Sequence, residues 1–426
     1  MMDGIPKSRI LIIAIIGLIL IFFLLAVFGV FTPKSNPSTN ANLVIWGIDD
    51  ANAAVPVFSQ YMQQNPGIKI SYRQFDPNQI KSQFINALAA GTGPDIVMIH
   101  NDWIPTQYDK LTPAPQGTIS SSQIQQLFAP TASNDFILNY QGTDYIYALP
   151  LYLDSLALFY NKDILNNKGV ALLPTTWDDF KILVPNLTET DLNHQIKKAG
   201  AAIGGSGKSI LNASDLLTLL MMQNGSAIFN PQTNLANFSD QNGSNALNFY
   251  TQFANSNSPY YTWDDSLGSD LDLFGSGQVA MIFAYARQIP ALQEKNPYLN
   301  FGVSVMPQLN PNQPVNFANY WGLAVSKQSA NPQAAWNFII WLTTDQTNSL
   351  SYLKAVNESP ALRTLIAQYQ NDPALGAFAK QALTAKTIYN MNDNFRQIFS
   401  NMIESVLSGK ADVNTALSQA QGAMNP

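Results

Sequence analysis

The chain contains no cysteine, and only two of its 426 residues are histidines, His100 and His194. That absence excludes thiolate nucleophiles, disulfides, Cys/His zinc sites and a lipid-bearing cysteine tether, and neither a metal nor a cofactor is expected. Charge is scarce as well. Charged residues make up 12% of the chain, with a net charge of -6, so no basic face is available to neutralise nucleic-acid phosphates. No internal repeat of about 20–50 residues is present. What the chain does have is 46% hydrophobic residues, a globular value, and enough length for two or three domains.

The longest apolar run, "ILIIAIIGLILIFFLLAVFGVF" (Ile10 to Phe31), holds no charge and matches the length needed to cross a bilayer as a helix. Lys7 and Arg9 precede it, and no small-x-small cleavage site follows. The reading is an uncleaved single-pass anchor over 10–31, with residues 1–9 cytoplasmic by the positive-inside tendency. The Pro-, Ser- and Asn-rich stretch 32–41 then reads as a polar linker to an extracellular body.

Beyond the linker, "NLVIW" and "IKISYRQF" read as strands separated by a helix over about 52–64. Asp76 is placed to cap a second helix ending at about Ala90, with Gly91 as its C-cap glycine, before a third strand "DIVMI". Strands alternating with helices indicate parallel crossover units. The alternation resumes with "SLALFYN", "VAMIFA" and "FGVSVMP", and Thr176 with Asp179 stands at capping-box spacing.

The stretch "AAIGGSGKS" (201–209) is close to a phosphate-cradling loop. Its flanks do not fit. The preceding segment is a weak strand, and the next obvious helix begins at about Ser214, too late for its dipole to reach a phosphate. A flexible glycine-rich connection is the better reading.

Five segments, in order, carry a family resemblance: "NALAAGTGPDIVMIHNDW" (Asn86 to Trp103), "ALPLYLDSLALFYNKDIL" (Ala148 to Leu165), "LPTTWDDF" (Leu173 to Phe180), "LFGSGQVAMIF" (Leu273 to Phe283) and "WGLAVSKQSANPQAAWNFIIWLT" (Trp321 to Thr343). They resemble the signature segments of family 1 extracellular solute-binding proteins, the maltose-binding-like receptors of ATP-driven (ABC) importers. The resemblance implies an α/β, two-lobed, periplasmic-binding-protein-like (type II) fold with a hinge and an interlobe ligand cleft. Lobe one would comprise 42–151 and 319–370, and lobe two 152–318 and 371–426. The implied partners are a small polar solute, most often a sugar or oligosaccharide, and the permease subunits of an importer; a monomer is the family default. The chain departs from the family in its membrane helix, and Ile99 stands where maltose binders carry a tryptophan.

Ligands of open parallel sheets sit beyond the carboxyl ends of the strands. That rule selects Trp46, Asp49 and Asp50 after the first strand, and His100, Asp102 and Trp103 after the third. Asp102 and Asp154 match the family's cleft carboxylates. A solvated turn is the alternative for His100 and Asp102, and a structural hydrogen-bonding role near the hinge for Asp154. Tyr285, Arg287, Tyr320 and Trp321 are further candidates, with Phe395 and Arg396 where family residues reach the cleft. Carboxylates suit sugar hydroxyls, and aromatic faces suit the apolar side of a sugar ring. The same residue types would also suit a glycosidase, but no triad, nucleophile elbow or metal motif accompanies them, and a binding protein rather than an enzyme is expected. A tethered sensing module without an importer is the remaining alternative. On this reading, alanine at Asp102 or Trp321 weakens binding and leaves thermal stability nearly unchanged.

Overall fold

A computed structural model of the chain describes residues 40–230, 232–388 and 394–425. The expected membrane helix and nearly all of the linker lie outside the described residues. Among those described, no helix is long and apolar enough to cross a membrane.

The strands that organise the molecule are β1 (Ala41–Gly47), β2 (Ile68–Gln74), β3 (Ile96–His100), β4 (Ala148–Pro150), β5 (Ala157–Asn161), β6 (Met281–Ala284), β7 (Phe301–Ser304) and β8 (Trp321–Ser326). The helices that bear on the site are α1 (Ala51–Gln64), α2 (Ile80–Ala89), α3 (Trp177–Leu187), α4 (Ala213–Gln223), α5 (Pro332–Thr344), α6 (Gln346–Val356) and α7 (Phe395–Leu407).

In the first sheet β1 runs parallel to β2 and β3, joined by the crossover helices α1 and α2. Every residue of β3 is buried, which is why "IVMIH" is a continuous apolar run rather than an alternating one. Asp50 caps α1 by accepting the amide of Asn52 at 3.0 Å. The second helix starts later than expected: Asp76 closes the turn before it, accepting the Asn78 amide at 2.8 Å, and the helix begins only at Ile80. Gly91 ends that helix at φ +71°, and the Thr92 amide returns to the Ala87 carbonyl.

The parallel expectation fails in two places. Strand β8 lies antiparallel to β3 and β4, and the second sheet has β5 at its centre, antiparallel to β6 and β7. Chain direction explains β8. It arrives from the other half of the molecule at the carboxyl end of β3, so it can enter the sheet only by running back along it.

Two buried apolar clusters result. One draws on residues 41–153 and 318–366, with Ala382 and Ala385; the other draws on 156–317 and 369–420. The chain passes between them near 153–156, near 317–318 and near 366–369, and touches the first again at Ala382 and Ala385. The α3 capping box is reciprocal, with Thr176 Oγ1 accepting the Asp179 amide at 3.1 Å and Asp179 accepting the Thr176 amide at 3.2 Å.

Strand β8 tolerates no side chain at Gly322. A Cβ there would stand 2.5 Å from the Phe136 ring and 2.7 Å from the Leu149 carbonyl oxygen. Gly322→Ala is therefore expected to lower unfolding free energy by about 1–3 kcal/mol in urea titrations, with no change in slope.

Candidate ligand site

The antiparallel entry of β8 pairs Trp321 with His100, and this register builds the site. The Trp321 indole meets the His100 ring edge-on at 5.2 Å and the Trp103 ring at 5.4 Å. Its Nε1 is buried and has no hydrogen-bond partner among the described residues. His100 is held at both nitrogens, with Nδ1 2.6 Å from Asp102 Oδ1 and Nε2 2.7 Å from Asn319 Oδ1. Burial opposes the charge on Asp102, but His100, with help from Arg396 and Lys81, brings its carboxyl below the usual range.

From the other half of the molecule comes a second polar group. Asp215, in the first turn of α4, accepts the Tyr285 hydroxyl at 2.7 Å and Arg396 Nε at 3.2 Å. The carboxylate raises the Arg396 guanidinium above its ordinary range and leaves that side chain half exposed. Asn319 joins the two groups, since its Nδ2 lies 3.4 Å from Asp215 Oδ2 while its Oδ1 meets His100. His100, Asp102, Trp103 and Trp321 are thus brought together, and Tyr285 and Arg396 face them through Asp215 and Asn319.

The remaining candidates stand apart. Trp46 packs on Phe75 at 4.5 Å beneath the Arg73 guanidinium, and Asp50 is spent on capping α1. Phe395 is buried against Phe399, and the Tyr320 hydroxyl donates to Asp135 at 2.6 Å from a fully buried ring. Asp154 takes the structural role: its carboxylate accepts the backbone amides of Ser155, Ala286 and Arg287 at 2.8, 3.1 and 3.4 Å. Arg287 is exposed, with its guanidinium over the Tyr285 ring. Asp49 accepts the hydroxyls of Tyr352 at 2.5 Å and Tyr152 at 3.3 Å, and burial pushes its carboxyl up to about 6 despite both bonds. Glu358 is raised as well, by burial and then by Asp154 and Asp49. Trp321, 4% exposed within the first core, is no surface aromatic, so alanine there costs stability, against the expectation that stability stays nearly unchanged.

Asn319 and Asp215 are absent from the sequence-based candidates. Asn319 sits among loop-like residues, and Asp215 looks like an ordinary first-turn acid. The loop 201–209 is likewise more than a flexible connection. Asp265 accepts the Ser206 amide at 2.8 Å and the hydroxyls of Ser206 and Ser209 at 2.7 and 2.5 Å, so a carboxylate already takes the donors a phosphate would need.

Asp135 links the halves again, accepting the Thr387 hydroxyl at 3.0 Å as well as that of Tyr320. Burial raises its carboxyl from 3.8 to about 7 against the pull of those two bonds. Between these values the folded state holds a proton that the unfolded state has released, so this contribution to stability is full below about pH 4 and lost as pH rises through about 7. Asp135→Asn is expected to flatten that part of the pH profile of the urea midpoint, whereas an unchanged slope shows that Asp135 is not its source.

The family model described as bacterial extracellular solute-binding protein matches residues 47–349. A galactooligosaccharide-binding protein of Bacillus subtilis (strain 168) is 23% identical over 405 residues, 90% of this chain and 88% of the relative. The crystal structure of a cyclic alpha-maltosyl-1,6-maltose binding protein from Arthrobacter globiformis superposes with a TM-score of 0.74 at 19% identity, covering 90% of this chain and 98% of that one. The sugar-binding protein MalE from Xanthomonas citri matches with the same score and identity over 90% and 96% of the two chains. The fold is therefore the two-lobed α/β arrangement of the maltose-binding type, and the relatives are binding proteins rather than enzymes. Two apolar cores, a chain that crosses between them more than once and a polar group shared between them are this chain's version of that plan: it belongs to the bacterial extracellular solute-binding proteins.

Proposed function

We propose that the chain captures a carbohydrate, of oligosaccharide size, between its two lobes and delivers it to the permease of an ABC importer, tethered to the membrane by the apolar segment 10–31. The lobes follow the two cores, with boundaries close to 151, 319 and 370. The observation that carries this reading is the pairing of acceptor and donors around Trp321. Asp102 has one oxygen engaged by His100, so its other oxygen is the acceptor offered to a ligand hydroxyl. Trp321 Nε1 is a buried donor without a partner among the described residues, and Arg396, from the second lobe, supplies charged donors close enough to act on Asp102. A sugar hydroxyl is both donor and acceptor, and the faces of Trp103 and Trp321 suit the apolar side of its ring.

The names of the relatives support the same class: one binds galactooligosaccharides, another a cyclic maltosyl-maltose. Delivery to an importer rests on the family, and the tether on the sequence; a monomer suffices for both.

The test is a thermal-shift panel on the full chain with galactooligosaccharides, maltotriose, glycerol phosphate and magnesium-ATP, followed by calorimetry. A shift with a saccharide that is not consumed is expected; a shift with magnesium-ATP alone overturns the reading. With the saccharide that binds, Asp102→Ala is expected to weaken affinity about 10- to 150-fold, the value of a charged hydrogen bond of about 1.5–3 kcal/mol. Trp321→Phe, which keeps a ring but removes the N–H, is expected to cost about 2- to 10-fold. Full affinity in both variants places the ligand elsewhere.

A further inference from the structure

Arginine is rare in this chain, with five residues against seventeen lysines, and two of the five stand at the candidate site. Arg287, just past β6, is exposed and holds its guanidinium over the Tyr285 ring, 5.3 Å from the centroid. Arg396, at the start of α7, lies beyond the hydroxyl of the same ring. That hydroxyl donates to Asp215 at 2.7 Å, and Arg396 gives Asp215 its Nε and one Nη at 3.2 and 3.4 Å. A third cation comes from the other half of the molecule. Lys81, in the first turn of α2, carries its Nζ 5.6 Å over Trp103, which in turn meets Trp321. The three form one electrostatic group, since Lys81 and Arg396 both act on Asp102 while Arg396 and Arg287 both act on Tyr285.

What the arginines lack is an acceptor. Among the described residues the Arg287 guanidinium has no hydrogen-bond or ion-pair partner, and Arg396 has one Nη left after Asp215. The surrounding carboxylates, by contrast, are supplied with donors. Asp154 takes three backbone amides, Asp49 the hydroxyls of Tyr152 and Tyr352, and Asp135 those of Tyr320 and Thr387. Glu358 keeps one bare oxygen, but it is buried, and no ion pair joins it to Arg287. A guanidinium only donates, and its planar fork matches a carboxylate.

We propose that the ligand is an acidic oligosaccharide, with Arg287 taking a carboxylate on one of its sugars and Asp102 taking a hydroxyl. An acidic ligand narrows the carbohydrate reading above and rests on it for the role of Asp102. The aromatic rings point the same way. A neutral sugar stacks on a bare ring face, whereas here one face of Trp103 lies under Lys81 and one face of Tyr285 under Arg287, so a ligand meets charged donors at both. A sugar phosphate would satisfy the same donors, but its second charge would be set against Asp102 and Asp215. A uronic acid brings one negative charge per ring and keeps the hydroxyls that Asp102 requires.

Calorimetry on the full chain tests this with trisaccharides of galacturonic, glucuronic and mannuronic acid, each beside its methyl ester, and with galactotriose and galactose 1-phosphate. The ester keeps the rings and hydroxyls and removes only the charge. At least one acid is expected to bind about 10-fold or more tighter than its ester, the value of a charged hydrogen bond, and added salt is expected to narrow that gap. Arg287→Gln, at an exposed position, is expected to remove most of the gap. A gap that persists unchanged in this variant overturns the role of Arg287. Equal affinity for acid and ester, or binding of neutral saccharides alone, overturns the acidic ligand and leaves the carbohydrate reading standing. Binding of galactose 1-phosphate without any uronate overturns the choice of carboxylate. If no saccharide binds, charged or neutral, the carbohydrate reading fails and the acidic ligand falls with it.

Discussion

Asn319 occupies the point where the two halves of the molecule share buried polar groups, and an amide is the side chain suited to that position. Its oxygen meets His100 from the first sheet, its nitrogen meets Asp215 from α4, and its backbone amide donates to the Asp154 carbonyl at 3.0 Å. A hydroxyl lacks the reach to span both partners, and a carboxylate would face Asp215 with like charge. Where a chain passes between two apolar cores, its own amides and carbonyls are buried too, and each one left unpaired costs about 1–3 kcal/mol. Asp154 answers that need at the neighbouring crossing by accepting three backbone amides from two segments. Its burial in an apolar stretch follows from this, and a ligand is not required to explain it.

The same constraint orders the site. Buried charges are tolerated only when paired and hydrogen-bonded. Here the contacts run in sequence, Asp102 to His100, then through Asn319 to Asp215 and Arg396, whose guanidinium is half exposed. On the proposed function, a ligand that reaches both Asp102 and Arg396 gains contacts with groups already held in place, which is the benefit of preorganisation. On that proposal it would also touch both lobes, and such contacts are what bias a hinged protein toward closure.

How much of this was legible depended on the distance over which each feature is decided. Strands β1 to β3 and their crossover helices are written in local periodicity and caps, and Gly91 ends its helix as its position suggests. The direction of β8 is set by where the chain returns from, hundreds of residues after β3, and no local pattern records that. For the proposed site, the rule that ligands meet strand ends selected His100, Asp102 and Trp103, which the structure clusters with Trp321. The same rule also selected Trp46 and Asp50, which lie equally at a strand end but spend their chemistry on Phe75, Arg73 and a helix cap. Tyr320 was selected with Trp321 because the pair opens the returning strand, and Phe395 with Arg396 because the family resemblance places them near the cleft; in the structure the Tyr320 hydroxyl goes to Asp135 and the Phe395 ring stacks on Phe399. Asn319 and Asp215 carry no signal of their own, since an asparagine in a loop and an acid in a first helical turn both have ordinary explanations.

The loop Gly204 to Ser209, whose local pattern approaches a phosphate loop but whose flanks do not fit one, takes its partners from residues far away in sequence. Asp265 holds Ser206 and Ser209, and Trp263 Nε1 donates to Ser209 Oγ at 2.9 Å, so the serine that a nucleotide site would offer to magnesium is already bound twice. A polyphosphate would have to displace a carboxylate and then sit beside it. Lys208, which would reach the terminal phosphates, pairs with Glu404 at 2.6 Å, and the Gly207 amide donates to Ser400 Oγ at 3.0 Å. Both of those partners lie on α7. The Ser214 hydroxyl, just past the loop, donates to the Arg396 carbonyl at 2.9 Å at the start of the same helix. The loop therefore fastens α7 against α4, which sets Arg396 against Asp215. Its glycines and serines thus have a structural task, holding the helix that carries Arg396.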